Sequence, residues 1–460
     1  MSAPVNELTF SRLLVLSFAA TILTGAVLLM LPISRVGGAD PVSWIDALFT
    51  ATSAVCVTGL TVRDTGTVFS LFGQGVILVL IQVGGLGFLT LSTFFITRFQ
   101  GRRKGMSLQH RHLLEISHGS VNAVAPSRLL VTILWFTFLV ELAGAGLLFI
   151  HYARTHAGAE AVWLAVFHAI SAFCNAGFAL HADSLMGVRN DLLVNGVIMV
   201  LIVGGGLGFL VVADMGLWLK ERLARRRSQL SLHSRVVLRT SAWLILVGAV
   251  LIALVEGGGA AMGRDPGSVT LASLFLSVTS RTAGFNTADT AQLTGTTLFL
   301  VILLMAIGGS PGSTAGGMKT TTFTVCIALL TSRARNRPRV EWLERSIPDE
   351  TVTKSLFVVT GYVLAILCGL LLLQLTETGQ QPFNQAEDNR FLAYLFETVS
   401  ALGTVGLSTG LTPTLSTAGK LVISVLMFVG RVGPLLIALA VVGNAPQIRY
   451  AFAEENVNIG

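Results

Sequence analysis

Eight stretches of the chain are apolar over about the 20 residues needed to cross a bilayer's hydrocarbon: 13–31, 74–97, 129–150, 192–219, 236–256, 296–330, 355–375 and 420–443. Eight spans put both termini on one side. The first run is long enough to span and is followed by no small-residue cleavage site, so it predicts a membrane helix and not a signal peptide. Inside each successive pair lies a further apolar segment, 44–55, 163–173, 271–279 and 391–401, too short to cross. A segment that enters and must return is a re-entrant half-helix, tolerated only where protein or a water-filled cavity surrounds its backbone.

The four short segments repeat one another. Each carries Phe followed four residues later by a hydroxyl: Phe49 and Ser53, Phe167 and Ser171, Phe275 and Thr279, Phe396 and Ser400. Each ends in a loop with one Gly before an apolar residue, at Gly59-Leu60, Gly177-Phe178, Gly284-Phe285 and Gly406-Leu407. The third copy is one residue shorter between Phe275 and its glycine. A second glycine cluster follows in the next span, at Gly84-Gly85, Gly204-Gly205-Gly206, Gly308-Gly309 and Gly430. Isolated Gly144, Gly146 and Gly369 read instead as close helix packing. The predicted fold is an all-α polytopic membrane protein of four fused span, pore-helix, span repeats: eight transmembrane helices and four half-helices around one pseudo-fourfold pore. The repeats are 12–97, 129–219, 236–330 and 355–443, joined by loops 98–128, 220–235 and 331–354.

Composition agrees: 53% of the 460 residues are hydrophobic and 12% charged, about half the charge of a soluble chain. The net charge of +7 is uneven, with 19 of 31 Lys and Arg in 98–128, 220–239 and 333–354. This positive-inside asymmetry makes those loops and both termini cytoplasmic. No aromatic-interleaved basic module accompanies them, so nucleic acid is not a partner. Cys56, Cys174, Cys326 and Cys368 show no CxxC spacing, and His110 and His112 have no further ligand nearby in sequence, so neither a disulfide framework nor a zinc site is expected. Paired acids, HExxH and Ser/His arrangements are missing from the spans, which excludes the common enzyme classes.

A half-helix C-terminus carries about half a negative charge, so four of them converging favour a cation within the membrane. Loop carbonyls can replace the ion's water if they point inward, with backbone angles that Gly permits. Such a ring suits a large monovalent cation such as K⁺ better than Mg²⁺ or Ca²⁺, which want carboxylates. Thr404-Val405-Gly406 also matches the start of the potassium-channel filter TVGYG, and Thr58-Gly59 keeps part of it. With four such loops in this order, residues 12–445 resemble the Trk/Ktr/HKT superfamily of K⁺ transporters, most closely its bacterial KtrB-type membrane subunits.

That resemblance implies a K⁺ selectivity filter of Val57-Thr58-Gly59, Asn175-Ala176-Gly177, Thr282-Ala283-Gly284 and Thr404-Val405-Gly406, the only metal site expected. It also implies K⁺ uptake across a bacterial plasma membrane, a homodimer in membrane lipid, and a cytosolic nucleotide-binding regulatory subunit of KtrA type. The chain holds no cofactor; K⁺ is cargo, and Na⁺ coupling stays open, with an alternating-access symporter as the alternative.

The sixth apolar stretch contains GGSPGSTAGGMK at 308–319, which cannot hold a membrane helix. It is no phosphate-binding loop, because Met318 stands where the lysine belongs. Irregular backbone at this depth lines a cavity. The resemblance makes it an intramembrane gate of Gly308, Gly309, Ser310, Gly312, Ser313, Thr314, Gly316, Gly317 and Lys319. Arg431, the only charge in the eighth stretch beyond Lys420 at its first position, is expected to face the cavity and bond gate carbonyls, or else to pair with a buried acid such as Glu141. Asp46, His168 and Glu397, on the half-helices, read as supports for the loops.

Overall fold

A computed structural model describes residues 7–38, 40–101, 126–226, 228–257, 260–263, 265–377 and 390–433. Loop residues 102–125, with His110 and His112, and the end of the eighth apolar stretch, 434–443, lie outside them.

The molecule is mostly helical, and its helices fall into four groups of one order. The first group is α1 (Glu7–Met30), the short α2 (Trp44–Cys56) and α3 (Leu71–Gly101). The second is α4 (Pro126–Tyr152), the short α5 (Gly158–Phe173), α6 (Leu192–Leu207) and α7 (Phe209–Leu223). The third is α8 (Leu232–Glu256), the short α9 (Pro266–Thr279), α10 (Gly295–Ala306) and α11 (Thr320–Ala334). The fourth is α12 (Asp349–Glu377), the short α13 (Arg390–Gly403) and α14 (Thr417–Val432).

Local chemistry sets the starts. Ser43 caps α2 by accepting from the Asp46 amide, and Asp265 caps α9, with Pro266 in its first turn. The helices after the short ones begin on Ser70, Asp191, Thr294 and Ser416, each side chain accepting an amide of the first turn.

Apolar side chains pack the core and also cover the outside, while a set of polar side chains is buried. Leu134, Trp135, Phe138, Leu142, Trp243, Leu246, Leu254, Leu364, Leu367 and Leu375 are exposed on α4, α8 and α12, while Ser53, Thr58, Asn175, Ser310 and Thr404 are fully buried. An extensive apolar exterior is what contact with lipid demands. Helices Val131–Tyr152, Leu232–Glu256 and Asp349–Glu377 are each long and apolar enough to cross a bilayer.

The 192–219 stretch is not one straight helix. It bends by 99° between α6 and α7, because Gly208 has φ +85° and the next amide, Phe209 N–H, donates to Gly312 O at 3.0 Å instead of continuing the helix. The 331–354 loop contains a small hairpin of β1 (Glu341–Trp342) and β2 (Arg345–Ser346).

Close backbone approach accounts for one glycine of the second cluster in the first, second and fourth groups. A methyl group on Gly84, Gly205 or Gly430 would collide with the carbonyl oxygen of Val55, Phe173 or Leu402, at the ends of α2, α5 and α13. Gly144 and Gly369 pack against Leu201 and Leu426, but Gly146 faces open space, so tight packing does not explain it.

Candidate functional site

Each short helix ends in a loop of one conformation. Val57, Asn175, Thr282 and Thr404 have φ of 56°, 59°, 74° and 50°, and the glycine two residues on, Gly59, Gly177, Gly284 or Gly406, has φ of 93°, 69°, 80° or 94°. For β-branched Val57, Thr282 and Thr404 a positive φ is strained, and three such outliers at one loop position mark an imposed geometry. The one-residue difference in the third copy is absorbed at the helix end. The amides of Thr58, Ala176 and Val405 reach five residues back, to Ser53, Ser171 and Ser400, whereas Ala283 reaches four back, to Thr279.

The repeated hydroxyls hold these loops. Ser171, Thr279 and Ser400 donate to the carbonyls of Phe178, Phe285 and Leu407 at 2.8, 2.9 and 2.6 Å. Ser53 and Ser400 accept the amides of Gly59 and Gly406 at 3.0 and 3.1 Å. The four phenylalanines one turn earlier are at most 1% exposed and anchor the helices from behind.

The four loops meet. A methyl group built on Gly177 would come 2.6 Å from Ala283 O, and one on Gly284 would come 2.5 Å from Val405 O. Methyls on Gly59 and Gly406 would come closer still to Ala176 O and Thr58 O. Loop one therefore touches two, two touches three, three touches four, and four touches one, so the circuit closes. The hydroxyls of Thr58, Thr282 and Thr404 are fully buried and, among the described residues, make no hydrogen bond.

The loop between α10 and α11 packs against this ring. A methyl on Gly316 would strike the Thr404 side chain, and the Asn175 amide lies 2.9 Å from the Thr314 hydroxyl. Thr314 N–H and Ser310 N–H donate to Gly205 O and Gly206 O at 3.2 and 3.0 Å, and Gly308 N–H closes the loop onto Met318 O at 2.8 Å. Lys319 Nζ donates to Ala315 O at 2.7 Å. Arg431 donates to Thr314 O and, at 2.7 Å, to Gly84 O. Glu141, the acid considered as its alternative partner, accepts instead from Gln82 at 3.1 and 2.9 Å.

The family profile described as "TrkH: Cation transport protein" matches residues 14–451. The chain belongs to the TrkH family of cation transport proteins. Among the relatives of this TrkH-family chain, Ktr system potassium uptake protein B of Bacillus subtilis is 40% identical over 432 residues, covering 92% of this chain and 91% of that one. Potassium/sodium uptake protein NtpJ of Enterococcus hirae is 36% identical, covering 98% and 97%. The crystal structure of the potassium transporter TrkH from Vibrio parahaemolyticus superposes with a TM-score of 0.73 at 18% identity, covering 96% and 86%, which establishes a shared fold. The TrkH-family chain is thus a membrane transport protein and not an enzyme.

Asp46, His168 and Glu397 do not enter the ring; they brace the segments around it. Asp46 accepts from Lys420 at 2.8 Å and Arg63 at 3.2 Å, tying the first group to the fourth. His168 lies 2.8 Å from Leu164 O through Nδ1 and accepts Leu180 N–H at 3.4 Å through Nε2. Glu397 accepts from Ser408 and Thr412 at 2.6 Å each and from Thr409 N–H at 3.0 Å.

Sequence reading missed Arg281 in this TrkH-family chain. It is buried and donates to Ser241 O at 3.3 Å, Ser241 Oγ at 3.2 Å and Gly308 O at 3.4 Å, joining the third loop to the start of the 307–319 loop. A visible signal was present, a lone charge between an apolar half-helix and Thr282.

Proposed function

We propose that this chain is the membrane subunit of a K⁺ uptake system, passing K⁺ through a channel-like pore whose narrowest point is the ring of four loops. Carbonyls of Val57, Thr58, Asn175, Ala176, Thr282, Ala283, Thr404 and Val405, turned inward at Gly59, Gly177, Gly284 and Gly406, replace the ion's hydration shell. The observation that carries this reading is the closed circuit of the four glycine loops, together with three buried threonine hydroxyls that make no hydrogen bond among the described residues. The strained first residue of the first, third and fourth loops supports it, since such strain persists where function requires it. The inward-negative potential drives uptake, at roughly 2.3 kcal/mol per charge per 100 mV.

The 308–319 loop is the gate: Gly308, Gly309, Ser310, Gly312, Ser313, Thr314, Gly316, Gly317 and Lys319 lie across the path under the ring and are held there by Arg431. The unit is a homodimer in a bacterial inner membrane with both termini cytoplasmic, and a cytosolic nucleotide-binding subunit of KtrA type moves the gate. The names of the Bacillus and Enterococcus relatives support potassium as the cargo, and the second also names sodium. That name keeps a Na⁺-coupled symporter as the second reading.

Radiolabelled Rb⁺ uptake into proteoliposomes tests both. Uptake by the wild type is expected to be displaced by K⁺ but not by Na⁺ and to persist without Na⁺; in Gly284→Ser, Na⁺ should compete while thermal unfolding shows an intact fold. Wild-type protein that takes up no Rb⁺, or a Gly284→Ser variant with unchanged ion preference, would overturn the filter reading. Strict dependence of uptake on Na⁺ would favour the symporter.

A further inference from the structure

The 99° bend at Gly208 gives α7 an unusual position. With α6 at 16 residues and about 1.5 Å rise per residue, the chain has descended ~24 Å from the outer end of α6 when it turns. The bend turns α7 aside from the line of α6, and its far end leads into the basic 220–235 loop, whose charge places it on the cytoplasmic side. Leu217, Leu219 and Leu223 are exposed on it, Leu223 by 77%. The guanidinium of Arg222 sits 5.2 Å from the centroid of the Trp218 ring, a cation–π pair. Exposed leucines, an aromatic and a basic end are the composition of a helix lying in a membrane surface.

Beyond α7 the chain turns back, with Arg225 at φ 57°. Arg222, Arg225, Arg226, Ser228 and Gln229 line an open concavity of about 630 Å³. The negative end of the helix dipole does not face it unscreened. The carbonyls of Lys220, Glu221 and Arg222 accept the amides of Ala224, Arg226 and Arg225 at 3.0, 2.8 and 3.0 Å. Three arginines with a serine and a glutamine around a hollow fit a phosphate diester, and arginine suits its paired oxygens. The exposed leucines beside it argue that the phosphate belongs to a lipid, with acyl chains to lay against them.

The opposite end of α7 touches the gate loop. Its first amide, Phe209 N–H, donates to Gly312 O, and a methyl group on Gly312 would strike the Phe209 ring. We propose that the Arg222, Arg225 and Arg226 concavity binds the headgroup phosphate of an anionic membrane lipid, and that the bound lipid pins α7 in this position and holds the gate loop in place. The coupling rests on the gating reading above; the binding site does not.

The test uses the full-length protein in vesicles of phosphatidylcholine with spin-labelled phosphatidylglycerol as probe. Wild-type protein should show a motionally restricted phosphatidylglycerol component, enriched over labelled phosphatidylcholine by roughly fivefold for each arginine engaged. The triple variant Arg222→Gln, Arg225→Gln, Arg226→Gln should fall to the phosphatidylcholine level, while Arg337→Gln with Lys354→Gln, on another basic loop, should not. Enrichment that survives in the triple variant overturns the site. Displacement by millimolar inorganic phosphate would assign it to a soluble anion, and loss of binding to a cytosolic regulatory subunit without loss of lipid enrichment would assign it to a protein contact; either overturns the lipid assignment. Rb⁺ uptake by the wild type should fall about threefold or more when unlabelled phosphatidylglycerol is added, and that response should vanish in the triple variant. Uptake indifferent to phosphatidylglycerol overturns the coupling. No uptake in any lipid would instead count against the transport reading, with the spin-label result still deciding the site.

Discussion

Arg431 on α14 donates to the carbonyl of Thr314 in the middle of the 308–319 loop and, with its other terminal nitrogen, to Gly84 O on α3. One buried guanidinium thus ties the fourth group of helices to that loop, proposed above as the gate, and to the first group. A charge-assisted hydrogen bond contributes about 1.5–3 kcal/mol, a factor of roughly 10–100 in the equilibrium of a two-state loop. Arg431→Gln is expected to raise Rb⁺ uptake about tenfold in vesicles without any cytosolic subunit. A rate equal to wild type would mean that this brace does not hold the loop shut.

The hydroxyl of Ser400 serves two parts of its loop, accepting Gly406 N–H and donating to Leu407 O. Ser400→Ala removes both bonds and leaves two buried backbone groups unsatisfied, about 1–3 kcal/mol each. The protein should still fold, because the phenylalanine anchors remain, yet its preference for Rb⁺ over Na⁺ should drop several-fold, and Ser400→Thr should restore most of it. Competition assays with Na⁺ across the three proteins decide the point; an unchanged ratio in Ser400→Ala would show that the hydroxyl does not set the loop geometry.

Periodicity exposed the four short helices because membrane-length runs and runs too short to cross differ by a factor of two, and because the hydroxyl and glycine spacing repeats. A ring of the four loops was expected from their repetition, but which loop neighbours which was not legible, because spacing within one loop carries no such information. The bend at Gly208 was hidden for a related reason. Residues 192–213 carry no charge and, apart from Asn195, no polar side chain, and the break is made by a partner distant in sequence, Gly312 O, capturing Phe209 N–H. The part played by Arg431 could be anticipated from the cost of a lone charge in hydrocarbon. Arg281 obeys the same logic but stands at a helix end, where a charge attracts less notice.

Two glycines separate packing from conformation. Gly284 has φ +80° with Val405 O 2.5 Å from where a methyl would sit, whereas Gly146 lies within α4 with open space before it. Gly146→Ala should stabilise the protein by ~0.5–1 kcal/mol through helix propensity alone, seen as a higher unfolding temperature with unaltered uptake. Gly284→Ala should lose ion preference. If both substitutions behaved alike, the special status given to the loop glycine would be wrong.

Arg281, directly before Thr282 of the ring, bonds Ser241 on α8 and Gly308 O at the start of the 308–319 loop proposed as the gate. Replacing it with an apolar residue of similar length avoids leaving a buried charge. Arg281→Met is expected to fold and to uncouple the gate from the ring, raising basal Rb⁺ uptake several-fold and lowering its preference over Na⁺ together. A variant that alters the rate but leaves ion preference untouched would confine Arg281 to the gate.

His181, in the segment after the second loop, stacks on His168 with ring centroids 5.5 Å apart and lies 6.1 Å from both Tyr152 and His156. Burial holds its imidazole below the usual histidine value; Asp183 pulls it up, His156 pushes it down, and Asp64 and Glu160 pull it up. The native state therefore favours the neutral ring. A histidine depressed in this way contributes stability that is fully present above the unfolded value near 6.5 and is lost as pH falls through that value toward the lower folded one. Unfolding temperatures measured from about pH 8 down to about 5.5 should fall on the acid side, and by less in His181→Gln. His168, whose Nε2 accepts Leu180 N–H beside the second loop, would feel a charged neighbour directly. Acid on the outer face is thus also expected to lower Rb⁺ uptake in the wild type more than in His181→Gln. Equal acid sensitivity of the two proteins, in unfolding and in uptake, would place the responsible group elsewhere.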